Sequence, residues 1–179
     1  MIIYQSKIKG LYQIQPEPHL DERGQFARLY CHDEFKAADI TFSAQQVSLS
    51  RSHLKYTLRG MHWQNSPYAE VKIVRYTQGE VFDVVADIRP DSETFGQWVS
   101  FILSARQANS IYIPKGCAHG FMTLSDNCDV LYHMESIFVP GQACGFRYDD
   151  PAFKINWPHD PSIMNQADKT WSDFTDTFK

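Results

Sequence analysis

Lys72-Ile73-Val74-Arg75-Tyr76-Thr77-Gln78-Gly79-Glu80-Val81-Phe82-Asp83-Val84-Val85-Ala86-Asp87-Ile88 decides the fold of this chain. Lys72 to Tyr76 is short and rich in β-branched residues, Gln78-Gly79 has turn chemistry, and Glu80 to Ile88 is a nearly unbroken run of Val, Phe, Ala and Ile. That pattern is strand, turn, strand. Asp83 and Asp87 stand two strand periods apart, so both carboxylates project from one face. Arg89-Pro90-Asp91-Ser92 closes the pair with another turn. Downstream, Trp98 to Leu103, Ser110 to Ile113, Gly120 to Leu124 and Asp129 to Met134 read as further short strands at roughly ten-residue spacing, with poor helical periodicity. Helix candidates are few: Asp33 to Asp39, begun by His32-Asp33-Glu34, and Gln166 to Phe174. Pro151, Pro158 and Pro161 mark an irregular segment before the second of these. The expected architecture is all-β: a double-sheet jelly roll with a few short peripheral helices, forming one domain over residues 1–179.

Bulk composition narrows the function classes. The chain has 179 residues, enough for one well-filled core, with 43% hydrophobic and 21% charged residues. A net charge of −4 and a pI near 5.9 argue against a broad nucleic-acid surface. Cys31, Cys117, Cys128 and Cys144 show neither C-x-x-C nor zinc-finger spacing, and reduced thiols are expected. Met1 to Lys7 lacks the apolar stretch of a signal peptide, and no run approaches the ~18 apolar residues of a membrane span. A soluble cytoplasmic protein is the expectation, with neither membrane nor nucleic acid as partner.

The chemistry concentrates in Leu58-Arg59-Gly60-Met61-His62-Trp63-Gln64, Lys72, and Pro114-Lys115-Gly116-Cys117-Ala118-His119-Gly120-Phe121. A histidine can abstract a proton near neutral pH. An arginine and a lysine can hold the negative charge left behind. Together they suggest carbon-acid chemistry beside a carbonyl. A single histidine in a strand is more often structural than catalytic, but Arg59 and Lys72 flanking His62 favour a site. Strict alternation would put Arg59 and His62 on opposite faces, and a bulge at Gly60 would remove that conflict. Metal-binding barrels of this size use a His-x-His pair and a carboxylate. Here His62-Trp63-Gln64 lacks the second histidine, and Lys72 puts an ammonium where a carboxylate ligand would fall. The pocket therefore reads as built for an anion and not for a metal. Asp83 is suited to orient a histidine, and an Asp83–His119 pair is as readily structural as substrate-contacting. By residue type alone Tyr132 is core and Asp168 a helix cap or solvated charge.

These motifs resemble the dTDP-4-dehydrorhamnose 3,5-epimerase family, of cupin-like jelly-roll fold. The resemblance runs from Asp21-Glu22-Arg23-Gly24 to about Asp168. It includes Leu58 to Gln64, Gln78 to Val84, Asp87-Ile88-Arg89, Thr94 to Trp98, Ile113 to Gly116 with His119-Gly120-Phe121, Asp149-Asp150-Pro151 and Ile155 to Pro158. It implies that His62 is the base with Asp168 as its carboxylate partner, and that Tyr132 is the general acid on the opposite sugar face. Arg59, Lys72 and His119 would surround the sugar and its C4 oxygen. Arg23 and Phe26 would contact the nucleotide, often from the partner subunit of a homodimer, and Gln46 and Phe138 would join them. The implied substrate is a nucleotide-diphosphate sugar with a 4-keto-6-deoxy ring, inverted at C3 and C5. Epimerisation at one carbon, another nucleotide, or sugar-nucleotide binding without catalysis are the competing functions. The chain departs from the family pattern at Arg28, Ser48, Phe138, Ala143 and Ala167, where glutamate, asparagine, tyrosine, a carboxylate and lysine are usual.

Overall fold

The computed structural model describes residues 1–174. Two antiparallel sheets face each other. One has six strands in the order β1 (Ile2–Gln5), β2 (Tyr12–Gln15), β10 (Ser110–Ile113), β7 (Lys72–Gln78), β12 (Cys128–Met134) and β5 (Gln46–Ser52). The other has five, in the order β13 (Ala143–Gly145), β6 (Leu58–Gln64), β11 (Cys117–Thr123), β8 (Glu80–Asp87) and β9 (Trp98–Ser104). A small hairpin, β3 (His19–Asp21) with β4 (Gly24–Phe26), stands apart from both. The turn Gln78-Gly79 carries the chain from the first sheet to the second, and Pro114-Lys115-Gly116 does the same between β10 and β11. The architecture is the expected jelly roll.

Period-two alternation builds three apolar layers. Inward residues of both sheets, among them Val74, Tyr76, Val81, Val85, Leu103, Ile111, Phe121 and Val130, make the central core. The outer face of the five-stranded sheet packs Met61, Val84 and Ala118 under Phe146, Phe153 and Ile155 of the proline-bearing segment. The outer face of the six-stranded sheet packs Ile14 and Ile73 under Phe35, Ile40 and Phe42. Phe35 belongs to helix α1 (His32–Ala37), which starts at Cys31 and stops before the expected Asp39. The second helix, α2 (Gln166–Thr170), is also shorter than expected: Trp171 ends it, well before Phe174. Its N-cap is Asn165, whose side chain accepts from the Asp168 backbone N–H. Asp168 is therefore not the cap but a buried residue of the first turn.

The bulge expected at Gly60 is present. His62 pairs with His119 and Arg59 with Phe121, so β6 spends one residue more than β11 over this interval. Gly60 sits at φ +127°, and a Cβ there would lie 2.5 Å from the Gly120 Cα. Replacing Gly60 by Ala therefore combines a left-handed backbone with a backbone clash, and should destabilise the protein by about 2–4 kcal/mol in urea unfolding.

Asp87 holds the turn after β8. Its carboxylate accepts from Arg89 Nε (2.8 Å), Arg89 Nη2 (2.6 Å), Ser92 Oγ (2.6 Å) and Thr94 Oγ1 (2.6 Å). Burial alone would raise this carboxyl, but these donors outweigh it and bring it down to about 2. A carboxylate depressed on folding contributes stability above its unfolded pKa, and that contribution is lost as pH falls through the folded value. Between about pH 4 and pH 2 the protein should lose about 2 kcal/mol from this residue. Urea unfolding of Asp87→Asn across that window should show a flatter acid limb than the unsubstituted protein.

Candidate active site

Where the central core gives out, the two sheets leave a cleft of about 560 Å³ between them. The six-stranded sheet contributes Gln46 and Ser48 from β5, Lys72 from β7, and Tyr132 and Met134 from β12. The five-stranded sheet contributes Arg59, His62 and Gln64 from β6 and His119 from β11. Without the bulge, Arg59 would share a face with Met61, which packs outward. With it, Arg59, His62 and Gln64 all face the cleft.

His62 Nε2 lies 2.6 Å from Asp168 Oδ1, across 106 residues of sequence. The second oxygen, Oδ2, accepts from the Gly60 backbone N–H at 3.1 Å. Burial would raise the Asp168 carboxyl, but the His62 ring and the Gly60 amide prevail and hold it below the ordinary carboxylate range. An ionised carboxylate can only accept, so Nε2 carries the hydrogen and Nδ1 is left as the basic nitrogen. The bulge thus does two things: it turns His62 inward and points an amide at the group that orients it.

A second histidine–carboxylate pair lies deeper. His119 Nε2 is 3.0 Å from both oxygens of Asp83, which also accepts from Tyr76 Oη at 3.0 Å. Both His119 and Asp83 are buried, and burial pushes the His119 ring below its usual value despite the Asp83 charge. His119 is therefore a neutral ring fixed in one orientation. Its edge meets Tyr132, with ring centroids 6.2 Å apart at 77°. Burial and the Asp83 charge raise the Tyr132 phenol, and its hydroxyl has no hydrogen-bond partner among the described residues.

Two cations face these groups. Lys72 is only 7% exposed and its ammonium makes no hydrogen bond among the described residues, with Glu70 Oε1 3.6 Å away. Arg59 is braced by Ser52 Oγ at 3.2 Å and the Arg51 carbonyl at 3.1 Å. Gln46 is fixed between Ser48 Oγ and the Phe138 amide, which places Phe138 at the rim. Arg23 and Phe26 lie elsewhere: they are highly exposed on the β3–β4 hairpin, Arg23 pairs with Asp21, and neither lines this cleft. Of the departures from the family pattern, Ser48, Phe138, Ala143 and Ala167 line the cleft, whereas Arg28 pairs with Glu34 outside it. Glu70 and Trp171 also line the cleft, and neither stands out in the sequence. Glu70 lies in the irregular segment just before β7, where no strand alternation in the sequence points it inward. Among the described residues no three His, Cys, Asp or Glu side chains are grouped to hold a metal ion.

A base oriented by a carboxylate, facing a phenol beside a buried lysine, equips this jelly roll for carbon-acid isomerisation. The family model described as dTDP-4-dehydrorhamnose 3,5-epimerase matches residues 5–176, and the chain belongs to that family. An Escherichia coli enzyme of that name is 37% identical over 92% of this chain and 89% of its own length. The Legionella pneumophila enzyme, solved with dTDP-4-keto-L-rhamnose, is 38% identical at TM-score 0.87, covering 94% of this chain and 89% of that one. The Bacillus anthracis enzyme, solved with TDP and pyrophosphate, is 31% identical at TM-score 0.93, covering 97% and 99%.

Replacing Asp168 by Asn keeps an oxygen for the Gly60 amide but removes the charge that fixes the His62 tautomer. Turnover should fall about 10²–10⁴-fold. The thermal midpoint should move little, and a circular-dichroism melt run beside the assay separates the two effects.

Proposed function

We propose that this protein is an epimerase of a dTDP-linked 4-keto-6-deoxy sugar, inverting C3 and C5 in turn. The observation that carries this reading is the pairing, in one cleft, of an oriented base with an unpartnered phenol across from it. A C4 ketone acidifies the hydrogens at C3 and C5, because loss of either gives an enolate. His62 takes the proton at Nδ1, and Asp168 stabilises the resulting imidazolium. Lys72 and Arg59 hold the developing oxyanion, a contribution of about 2.7–4 kcal/mol per donor in comparable sites. The desolvation of Lys72 strengthens that interaction. Tyr132 returns a proton to the opposite face, and its raised pKa keeps it in the protonated form that this role needs. His119, with Nε2 given to Asp83, offers Nδ1 as an acceptor suited to a sugar hydroxyl. No step calls for a metal or redox cofactor.

Residues 1–179 would act as one domain, and in the cytoplasm. The four cysteines are unpaired, and among the described residues no helix is long and apolar enough to cross a membrane. The assembly we propose is a homodimer in which Arg23 and Phe26 of one copy reach the nucleotide in the cleft of the other. Two features support it: both side chains project into solvent away from their own cleft, and β5 is an edge strand with Val47 and Leu49 exposed beside it. Gln46 and Phe138 would complete the nucleotide end.

Incubation with dTDP-4-keto-6-deoxyglucose in heavy water tests the reaction. Two deuterons should enter the sugar, as read by mass spectrometry, and His62→Ala should abolish uptake. Tyr132→Phe should retain exchange but slow inversion. Uptake of a single deuteron would assign a one-carbon epimerase instead, and no uptake would reject this substrate.

A further inference from the structure

A second cavity, of about 460 Å³, lies on the outer face of the six-stranded sheet. Its floor is Ile73 and Arg75 of β7 and His133 of β12, whose side chains point away from the catalytic cleft because Lys72, Tyr132 and Met134 point into it. Its walls are Leu29, Tyr30 and Phe42. Arg75 is 7% exposed and forms no ion pair among the described residues. Its Nη2 donates to the Leu29 carbonyl (2.7 Å) and to Ser110 Oγ (3.1 Å), while its Nε is buried without a partner. His133 Nδ1 is likewise buried, with the ring against the Ile73 backbone and Arg75. No aspartate or glutamate lines the cavity; Glu135, which accepts from the Ser43 amide nearby, is not part of the wall.

A buried guanidinium without a counter-ion is costly, and an unmade hydrogen bond on it adds to that cost. Burial lowers the Arg75 guanidinium to about 10, which still leaves it charged at neutral pH. The cavity is larger than one carboxylate side chain requires and falls in the range of small-molecule sites. Its aromatic walls suit an apolar body, and its polar atoms converge at the floor.

We propose that this cavity binds a small molecule carrying an oxyanion, with the anionic group on Arg75, beside His133, and an apolar body against Leu29 and the Tyr30–Phe42 pair, whose rings meet edge to face 6.1 Å apart. It is separated from the catalytic cleft by the thickness of the sheet. A guanidinium takes a carboxylate or a phosphate in charge-assisted hydrogen bonds, and with both Nη2 hydrogens engaged the anion is left Nε and Nη1 of Arg75. His133 also lies opposite Val47 in the strand register, so the cavity borders the face assigned above to a second copy.

Calorimetric titration with benzoate and phenyl phosphate, with neutral benzamide as control, tests this. At least one anion should bind saturably, one per chain, and benzamide should not. Which anion binds more tightly decides between carboxylate and phosphate. Binding should survive Lys72→Met, which removes a cleft cation, and weaken about 10- to 100-fold in Arg75→Met. If Arg75→Met does not fold, the Arg75 Nε–H resonance of the unsubstituted protein provides the same answer, since it should shift on anion addition. Absence of saturable binding by either anion, unchanged affinity in Arg75→Met, or an unmoved Nε–H signal would overturn the proposal. Binding seen only in protein diluted to the monomer would assign the cavity to a carboxylate of the second copy, and would also overturn it.

Discussion

The near-contact of Gly60 with Gly120 is the constraint on which the site depends. Two strands approach closely enough that a Cβ on Gly60 would meet backbone, and a Cβ on Gly120 would lie 2.6 Å from Met61 Sδ. That approach accommodates the extra residue of β6. The extra residue puts Arg59 and His62 on one side of a sheet whose pleat would otherwise separate them. It also frees the Gly60 amide to meet Asp168, which reaches the sheet from a helix more than a hundred positions later. Cation, base and base-orienting carboxylate are therefore placed by one local irregularity, and regular pairing would have lost all three relations.

The electrostatics of the cleft are set by what each group touches. Asp83 is fully buried and satisfied by His119 and Tyr76, so a negative charge underlies a neutral histidine and a neutral phenol. That charge helps keep Tyr132 protonated. Across from them, buried Lys72 and half-buried Arg59 provide positive charge where a substrate oxygen would gain negative charge. Glu70 tempers Lys72 at 3.6 Å without capturing it in a hydrogen bond. The cleft separates the groups that must stay neutral from those that must stay charged by burial and by neighbours, not by distance alone.

Much of this was legible in the sequence, and the exceptions have physical causes. The strands from Lys72 to Met134 announced themselves because their apolar residues face the core or a covered outer face. The turns at Gln78-Gly79 and Arg89 to Ser92 and the bulge at Gly60 followed from residue type. Strand β5 did not announce itself, although Gln46-Val47-Ser48-Leu49-Ser50-Arg51-Ser52 alternates cleanly. Its pattern is inverted: the polar members face inward toward the cleft, and Val47 and Leu49 face out. The α2 boundary was misplaced because Trp171 leaves the helix with extended backbone, a tertiary outcome that propensity does not encode. Asp168 resembled a cap because an aspartate at a helix start usually is one. Only the fold shows that Asn165 has taken that task and left Asp168 for His62. Arg75 looked like an ordinary polar residue of an alternating strand, and its burial without a counter-ion emerged only once Leu29, Tyr30 and Phe42 had folded over it.

The inverted alternation of β5 has a consequence for how such a protein changes over generations. Gln46 and Ser48 belong to the cleft, while Val47 and Leu49 belong to the exterior, and all four share one seven-residue strand. Substitutions at the odd positions can remodel what the outside recognises while the catalytic wall stays constant, and substitutions at the even positions can retune the cleft under a constant exterior. Within one chain the two surfaces can change separately although they are a single residue apart, and only a second copy held by the exterior would couple them. An insertion or deletion within the strand has the opposite effect, exchanging inner and outer faces together, so lineages should tolerate drift here far better than changes in length.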